Sequence, residues 1–290
     1  MMDDTVPTSF PRPVLIGLIG ATIQASRSPA LHMREGAAQG LAYIYRQIDL
    51  DRPGLDAEKL PQLLDAARYL GFTGLNVTHP CKQAVIPLLD ELSADAEAIG
   101  AVNTVVFGRD GRTVGHNTDW FGFAQGARLE LPDMPHERVV QLGAGGGGAA
   151  VAHALLMLGT RQLALFDTEA PRAASLAAHL NQRFPGERAI AIDGITDPLA
   201  TADGLVNATP VGMIGHPGLA LPASLLRPDL WVADIVYFPL ETELLRAARA
   251  LGCRTMGGGT MAVFQAVEAF RLFTGIEPDA ARMLRHFASM

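Results

Sequence analysis

Short apolar runs rich in β-branched residues alternate with amphipathic stretches from the start of the chain. Residues 14–19 and 43–50 predict strands, and the segments after Pro29 and over 57–70 predict helices. Further strands are expected at 72–77 and 101–107, with a helical segment over about 81–89 between them. Such alternation predicts βαβ units and a parallel sheet. After Thr118 a helix through about Leu129 leads to "ERVVQLGAGGGGAAVAHALLMLG", in which a strand runs into a glycine loop and then an alanine-rich helix. The strands "QLALFD", "GLVNAT" and "WVADIVY" carry this second unit to residues 257–259, and 261–290 predict two helices split near 275–278. The fold class is therefore α/β with two domains, 1–118 and 119–259, and residues 260–290 are expected to fold back and complete the first. A ligand site is expected in the cleft between them.

Composition narrows the partners. A net charge of −7, with arginines spread along the chain, lacks the basic face a polyanion needs, so nucleic acid is not expected. Two cysteines, Cys81 and Cys253, are too few for a disulfide framework and suit a reducing compartment. The acidic stretch 1–10 lacks the basic start and apolar run of a signal peptide, and no apolar stretch approaches a membrane span, which predicts a soluble cytoplasmic protein. No HxxxH, HExxH or CxxC pattern occurs, so no metal is expected.

The glycine loop is the most specific local signal. Gly143, Gly145 and Gly148 fit GxGxxG between a strand and a helix, which predicts a Rossmann-type dinucleotide-binding domain. Such a loop lets a pyrophosphate reach the free N–H groups of the helix N-terminus, so Gly143, Ala144, Gly145, Gly146, Gly147 and Gly148 are the expected cradle. The next strand ends at Asp167, near the position ~20 residues on where an acid bonds a ribose 2′-hydroxyl and repels a 2′-phosphate. That predicts NAD rather than NADP. Arg172 keeps NADP as the alternative, since it could reach a phosphate, and Asp167 could instead cap the following helix.

Lysine occurs only at Lys59 and Lys82, and arginine carries every other fixed positive side-chain charge. Guanidinium stays protonated, whereas an ammonium can give up its proton, so a retained lysine hints that the amine itself is used. Lys59, on a polar helical face, reads as a solvated surface residue, so the hint alone is weak.

The stretches "NVTHPCK", "AIGAVNTVV", "GHNTDWFGF", "GAGGGGAA", "NATPVGM" and "FQAVEAF" together resemble the shikimate dehydrogenase family, including its quinate/shikimate dehydrogenase branch, from about Val14 to Gly275. The resemblance implies an N-terminal substrate domain, the Rossmann domain and reversible hydride transfer between a nicotinamide cofactor and the ring hydroxyl of shikimate or quinate. It also implies that Lys82 and Asp119 form the catalytic pair. The chemistry agrees, because oxidising an alcohol by hydride loss needs a group that accepts the hydroxyl proton and can return it. Asp119 also fits as a first-turn acid favoured by the helix dipole.

In "SRSPALH", residues i and i+2 of an extended segment point the same way, so Ser26 and Ser28 can present two hydroxyls to one carboxylate. Ser28 before Pro29 also reads as a helix N-cap with proline at N1, and the two uses are compatible. The resemblance implies that these serines hold the substrate carboxylate, that Thr78, Asn103 and Gln265 meet the ring hydroxyls, and that Asn207, Thr209 and Met213 lie against the dinucleotide. Tyr237 follows a strand near the cleft and is expected on the substrate side. Taken singly, Asn103 suits a turn, Gln265 a surface helix, Met213 core filling and Tyr237 an edge strand. Arg27 and Met33 stand where the family tends to have leucine and asparagine, which keeps aminoshikimate or another cyclohexene carboxylate open as the alternative substrate. A nucleotide-binding regulator of the same fold is the non-enzymatic alternative, against which intact Lys82 and Asp119 speak. The assembly expected is a monomer or homodimer.

Overall fold

Two six-stranded sheets organise residues 13–290, the part of the chain that this computed structural model describes. The stretch 1–10, read above for a leader, lies outside the described residues. The first sheet contains β1 (Val14–Gly20), β2 (Tyr43–Asp49), β3 (Gly74–Val77), β4 (Glu91–Leu92), β5 (Thr104–Phe107) and β6 (Thr113–His116), in the order β2-β1-β3-β5-β6-β4. Its helices are α1 (Ser28–Ala38), α2 (Leu60–Tyr69), α3 (Cys81–Ala84) and α4 (Ala94–Ile99).

The expected parallel pairing holds for β2-β1-β3 and again for β6-β4, and fails only at β5, which runs antiparallel to both β3 and β6. The cause is local turn chemistry. Gly111 adopts a φ of +82°, the Asp110 carboxylate accepts from Arg112 N–H at 3.1 Å, and Gly108 N–H donates to Arg112 O at 2.7 Å. A connection that short can join only antiparallel neighbours.

The second sheet is parallel throughout. It holds β7 (Arg138–Leu142), β8 (Gln162–Phe166), β9 (Ala189–Ala191), β10 (Gly204–Asn207), β11 (Trp231–Asp234) and β12 (Thr255–Gly257), in the order β12-β11-β10-β7-β8-β9. This is the doubly wound dinucleotide-binding order, with its switch point between β7 and β10. Val139, Val140, Leu142, Leu205, Val206, Val232 and Ala233 are all buried, as strands covered on both faces require. The covering helices are α5 (Asp119–Glu130), α6 (Gly146–Met157), α7 (Ala170–Arg183), α8 (Thr196–Ala200) and α9 (Glu243–Ala250).

The last two helices, α10 (Gly258–Thr274) and α11 (Ala280–Ala288), pack against the first sheet and α1. Phe270 stacks on Tyr43 with ring centroids 5.2 Å apart, and Ala269, Phe270 and Phe273 share a core with Ile16, Leu18 and Tyr45. Buried Glu35 of α1 takes two bonds from Arg282 of α11, at 2.6 and 2.8 Å. Burial alone would raise the Glu35 carboxyl, but Arg282, the Asp279 amide and Gln39 outweigh it and hold it below its ordinary value. Helix α5 joins the two halves. Phe123, Ala124 and Ala127 pack in the core that also holds Val151 and Leu155 of α6, while Gly122 lies so close to α10 that a Cβ there would meet Met261 O at 2.5 Å. No described helix is long and apolar enough to cross a membrane.

Candidate active site

The stretch after β3 turns at Pro80 into α3, whose first residue, Cys81, is fully buried beside Val77 and Val85. That anchor leaves the next side chain, Lys82, directed at the start of α5. Its Nζ donates to Asp119 Oδ2 at 2.6 Å, and the two side chains are 22% and 11% exposed. Asp119 is the first residue of α5, where the helix dipole favours a carboxylate, and its N–H donates to Asn117 Oδ1 at 3.0 Å.

The unforeseen β5-β6 hairpin supplies the third member. Its register sets Thr104 opposite His116, so Asn103 lies beside the turn 117–119. Asn103 donates to Asp119 Oδ1 at 2.9 Å and to Thr118 Oγ1 at 3.0 Å, and its oxygen accepts from Thr118 N–H at 2.7 Å. Asp119 therefore has the Lys82 nitrogen on one oxygen and the Asn103 amide on the other. The α5–α10 crossing brings Gln265 to the same turn, where its Oε1 accepts from Thr118 Oγ1 at 3.5 Å. Tyr237 is 42% exposed, and its surroundings push its phenol up, by partial burial first, with Lys82 lowering and Asp119 raising it as charged neighbours.

Thr78 and the serine segment leave the same edge of the first sheet, since β1 and β3 are parallel neighbours and Ala21 N–H donates to His79 O at 2.8 Å. The expected serine geometry needs correction. Arg27 is helical, with φ −83° and ψ −9°, so Ser26 and Ser28 do not flank an extended residue. Nor is Ser28 an N-cap: it opens α1, Arg27 occupies the cap position without a side-chain bond, and Pro29 is second in the helix. The local reason is that Ser26 Oγ accepts from Ser28 N–H at 3.3 Å, closing a turn that starts the helix early.

On the cofactor side, β7 enters the loop 143–145 and α6 starts at Gly146 with Gly145 in extended conformation. Gly148 packs so tightly that a Cβ would stand 2.3 Å from Gly143 O, whereas space is open around Gly145. The first turn of α6 carries no acid, so its free N–H groups and dipole form an anion cradle. These residues fit a dinucleotide pyrophosphate. The cradle also neighbours the polar pair, because a Cβ on Gly146 would lie 3.8 Å from Lys82 Cδ, while Gly147 packs on Ile235.

Asp167 follows β8 and is bound back to this loop. Its Oδ2 accepts from Ala144 N–H at 2.8 Å, and its Oδ1 from Glu169 N–H at 2.9 Å. Arg172 pairs with Glu169 at 2.8 Å, with both side chains more than half exposed. Asn207 ends β10 beside the glycine loop, where Ala208 N–H donates to Leu142 O. Its amide oxygen accepts from Thr209 N–H and Oγ1, and its nitrogen donates to Val211 O and Asp234 Oδ1. Met213 lies on the same loop, 38% exposed, next to Ile214, whose N–H donates to Phe238 O.

Sequence reasoning missed the buried supports. Gln141, with no exposed surface, donates to Gly143 O and Gly148 O at 2.9 and 2.8 Å and ties the loop to the helix it opens. One polar residue inside "RVVQLG" was the available signal. Asp234 joins Asn207 to Thr242, and burial pushes its carboxyl up against the opposing effect of those bonds. Thr118 and Asn117 were visible only as polar positions in "GHNTD".

Two family models match the chain: the shikimate dehydrogenase substrate binding domain over residues 18–105 and the shikimate 5′-dehydrogenase C-terminal domain over 259–286. A shikimate dehydrogenase (NADP(+)) of Streptomyces avermitilis is 62% identical, covering 95% of both chains. A quinate/shikimate dehydrogenase (NAD(+)) of Corynebacterium efficiens is 54% identical, covering 96% of this chain and 98% of its own. Among solved structures, quinate dehydrogenase from Corynebacterium glutamicum in complex with NAD superposes with a TM-score of 0.90 at 53% identity, over 96% of this chain and 99% of that one.

Proposed function

The chain belongs to the shikimate dehydrogenase family, and from that premise we propose that it reversibly oxidises shikimate, quinate or both to the 3-dehydro product with NAD. The observation that carries this reading is the 2.6 Å contact between Lys82 and Asp119 beside the glycine cradle. A bound nicotinamide supplies the hydride acceptor. Lys82 Nζ takes the hydroxyl proton during oxidation and returns it during reduction, and Asp119 holds that amine in place. Ser26 and Ser28 receive the substrate carboxylate, while Thr78, Asn103, Gln265 and Tyr237 surround the ring. Gly143 to Gly148 seat the pyrophosphate, with Asn207, Thr209 and Met213 on the neighbouring loop. We read 1–118 with 260–290 as the substrate domain and 119–259 as the NAD domain, in a cytoplasmic monomer or homodimer.

NAD preference rests on Asp167 and on the pairing of Arg172 with Glu169, which leaves a carboxylate rather than a free guanidinium beside the loop. NADP is the second reading, favoured by the name of the Streptomyces relative. Initial rates at 340 nm with shikimate and quinate, each with NAD and NADP, decide between them. We expect NADH formation with at least one substrate and a higher kcat/KM for NAD. A clear NADP preference removes the cofactor reading, and NAD binding without turnover of either substrate identifies a regulator.

A further inference from the structure

A line of buried side chains runs across the first sheet and ends on Asp119. Tyr45 on β2 donates to Asn76 Oδ1 on β3 at 2.8 Å, and Asn76 Nδ2 donates to Thr104 Oγ1 on β5 at 3.1 Å. Thr104 donates to Asn103 Oδ1 at 3.0 Å, and Asn103 Nδ2 reaches Asp119 Oδ1. Tyr45, Asn76, Asn103, Thr104, Thr118 and Asp119 are all buried, so little water is available to substitute for a missing partner.

The direction of every bond follows from donor chemistry. A carboxylate only accepts, so Asn103 must turn its NH2 toward Asp119; the Thr118 backbone N–H only donates, so it must meet the Asn103 oxygen. At the far end, Asn76 also donates to Asn103 O at 3.4 Å, which directs its nitrogen to β5 and its oxygen to Tyr45. Thr104 accepts from Asn76 and has one proton left, for Asn103. A flip of Asn103 would set its NH2 against the Thr118 N–H, and a flip of Asn76 would set its oxygen against the Asn103 carbonyl.

We infer that Thr104 is a positioning residue for proton transfer: its hydroxyl fixes the Asn103 amide on Asp119, and Tyr45 acts through Asn76 to fix the hydroxyl. The inference rests on the reading of Lys82 and Asp119 as the proton-transfer pair. Thr104→Val keeps the β-branched shape and loses the hydroxyl. It is expected to lower kcat roughly tenfold, the scale of a hydrogen bond supporting a charged group, with KM for NAD unchanged. Thr104→Ser is expected to restore kcat.

A general structural effect and a positioning effect separate in a double-mutant cycle. On an Asn103→Ala background Thr104→Val should cost nothing further, because its route to Asp119 is already gone, whereas independent damage would multiply. If Thr104→Val does not fold, Tyr45→Phe replaces it, with an expected loss of roughly a few-fold in kcat that likewise vanishes on Asn103→Ala. Wild-type kcat in the folded variant, or multiplicative losses, overturns the inference while Lys82→Ala remains inactive. If Lys82→Ala is fully active, the pair reading fails and the inference fails with it.

Discussion

Replacing Lys82 by alanine lowers kcat by roughly 10²–10⁴ on shikimate or quinate, with KM little changed. The size follows from removing the group proposed to receive the hydroxyl proton, and the KM expectation from leaving the proposed ring-binding side chains in place. Packing is not at stake, since the anchor of α3 is Cys81 and the Lys82 side chain leaves the core for Asp119 at the start of α5. The backbone is held separately, by Val102 N–H donating to Lys82 O at 2.8 Å. Steady-state kinetics checks this, with unchanged NAD affinity as the control for an intact glycine loop. A variant with near-native kcat removes Lys82 from the mechanism.

Asp167→Asn raises the ratio of kcat/KM for NADP to that for NAD by roughly 10–100-fold, the order expected when one unit charge is removed from a few ångströms of a phosphate in a partly screened site. Asparagine is the most conservative choice: it removes the charge and keeps an oxygen for the Ala144 N–H, at the cost of the bond that Asp167 accepts from Glu169 N–H. A larger change of side chain would also loosen the glycine loop, confusing specificity with folding. An unchanged ratio, measured as the two kcat/KM values in one buffer, assigns cofactor choice to other residues.

The second half of the fold was largely legible in the sequence. Its parallel strands are buried on both faces and read as apolar runs, and the glycine loop appears between one such strand and a helix. In the first half the strand over 101–107 was also legible and is β5, while β4 and β6 were not. Strand β6 was overlooked because the alternation suggested crossovers, although Asp110-Gly111 between two β-branched runs is a hairpin signal. That omission hid why Asn103 meets Asp119. The two residues are brought together by an antiparallel register, and neither composition nor spacing states a register.

The Ser26–Ser28 geometry failed for a different reason. An extended backbone was assumed where a serine turn begins the helix. Tyr45, Asn76 and Thr104 were illegible because each reads alone as an ordinary strand residue, and their partners lie on other strands. Polar residues in buried strands acquire meaning only when the neighbouring strand is known.

The central claim is that Lys82 exchanges a proton with the substrate hydroxyl and is not merely a positive charge beside Asp119. Lys82→Arg separates these, since guanidinium keeps the charge and the ion pair but does not release its proton. Measured as kcat for oxidation of the preferred substrate with NAD, the arginine variant is expected to be as impaired as alanine, by roughly 10²–10⁴. Recovery of wild-type kcat by arginine would contradict the account.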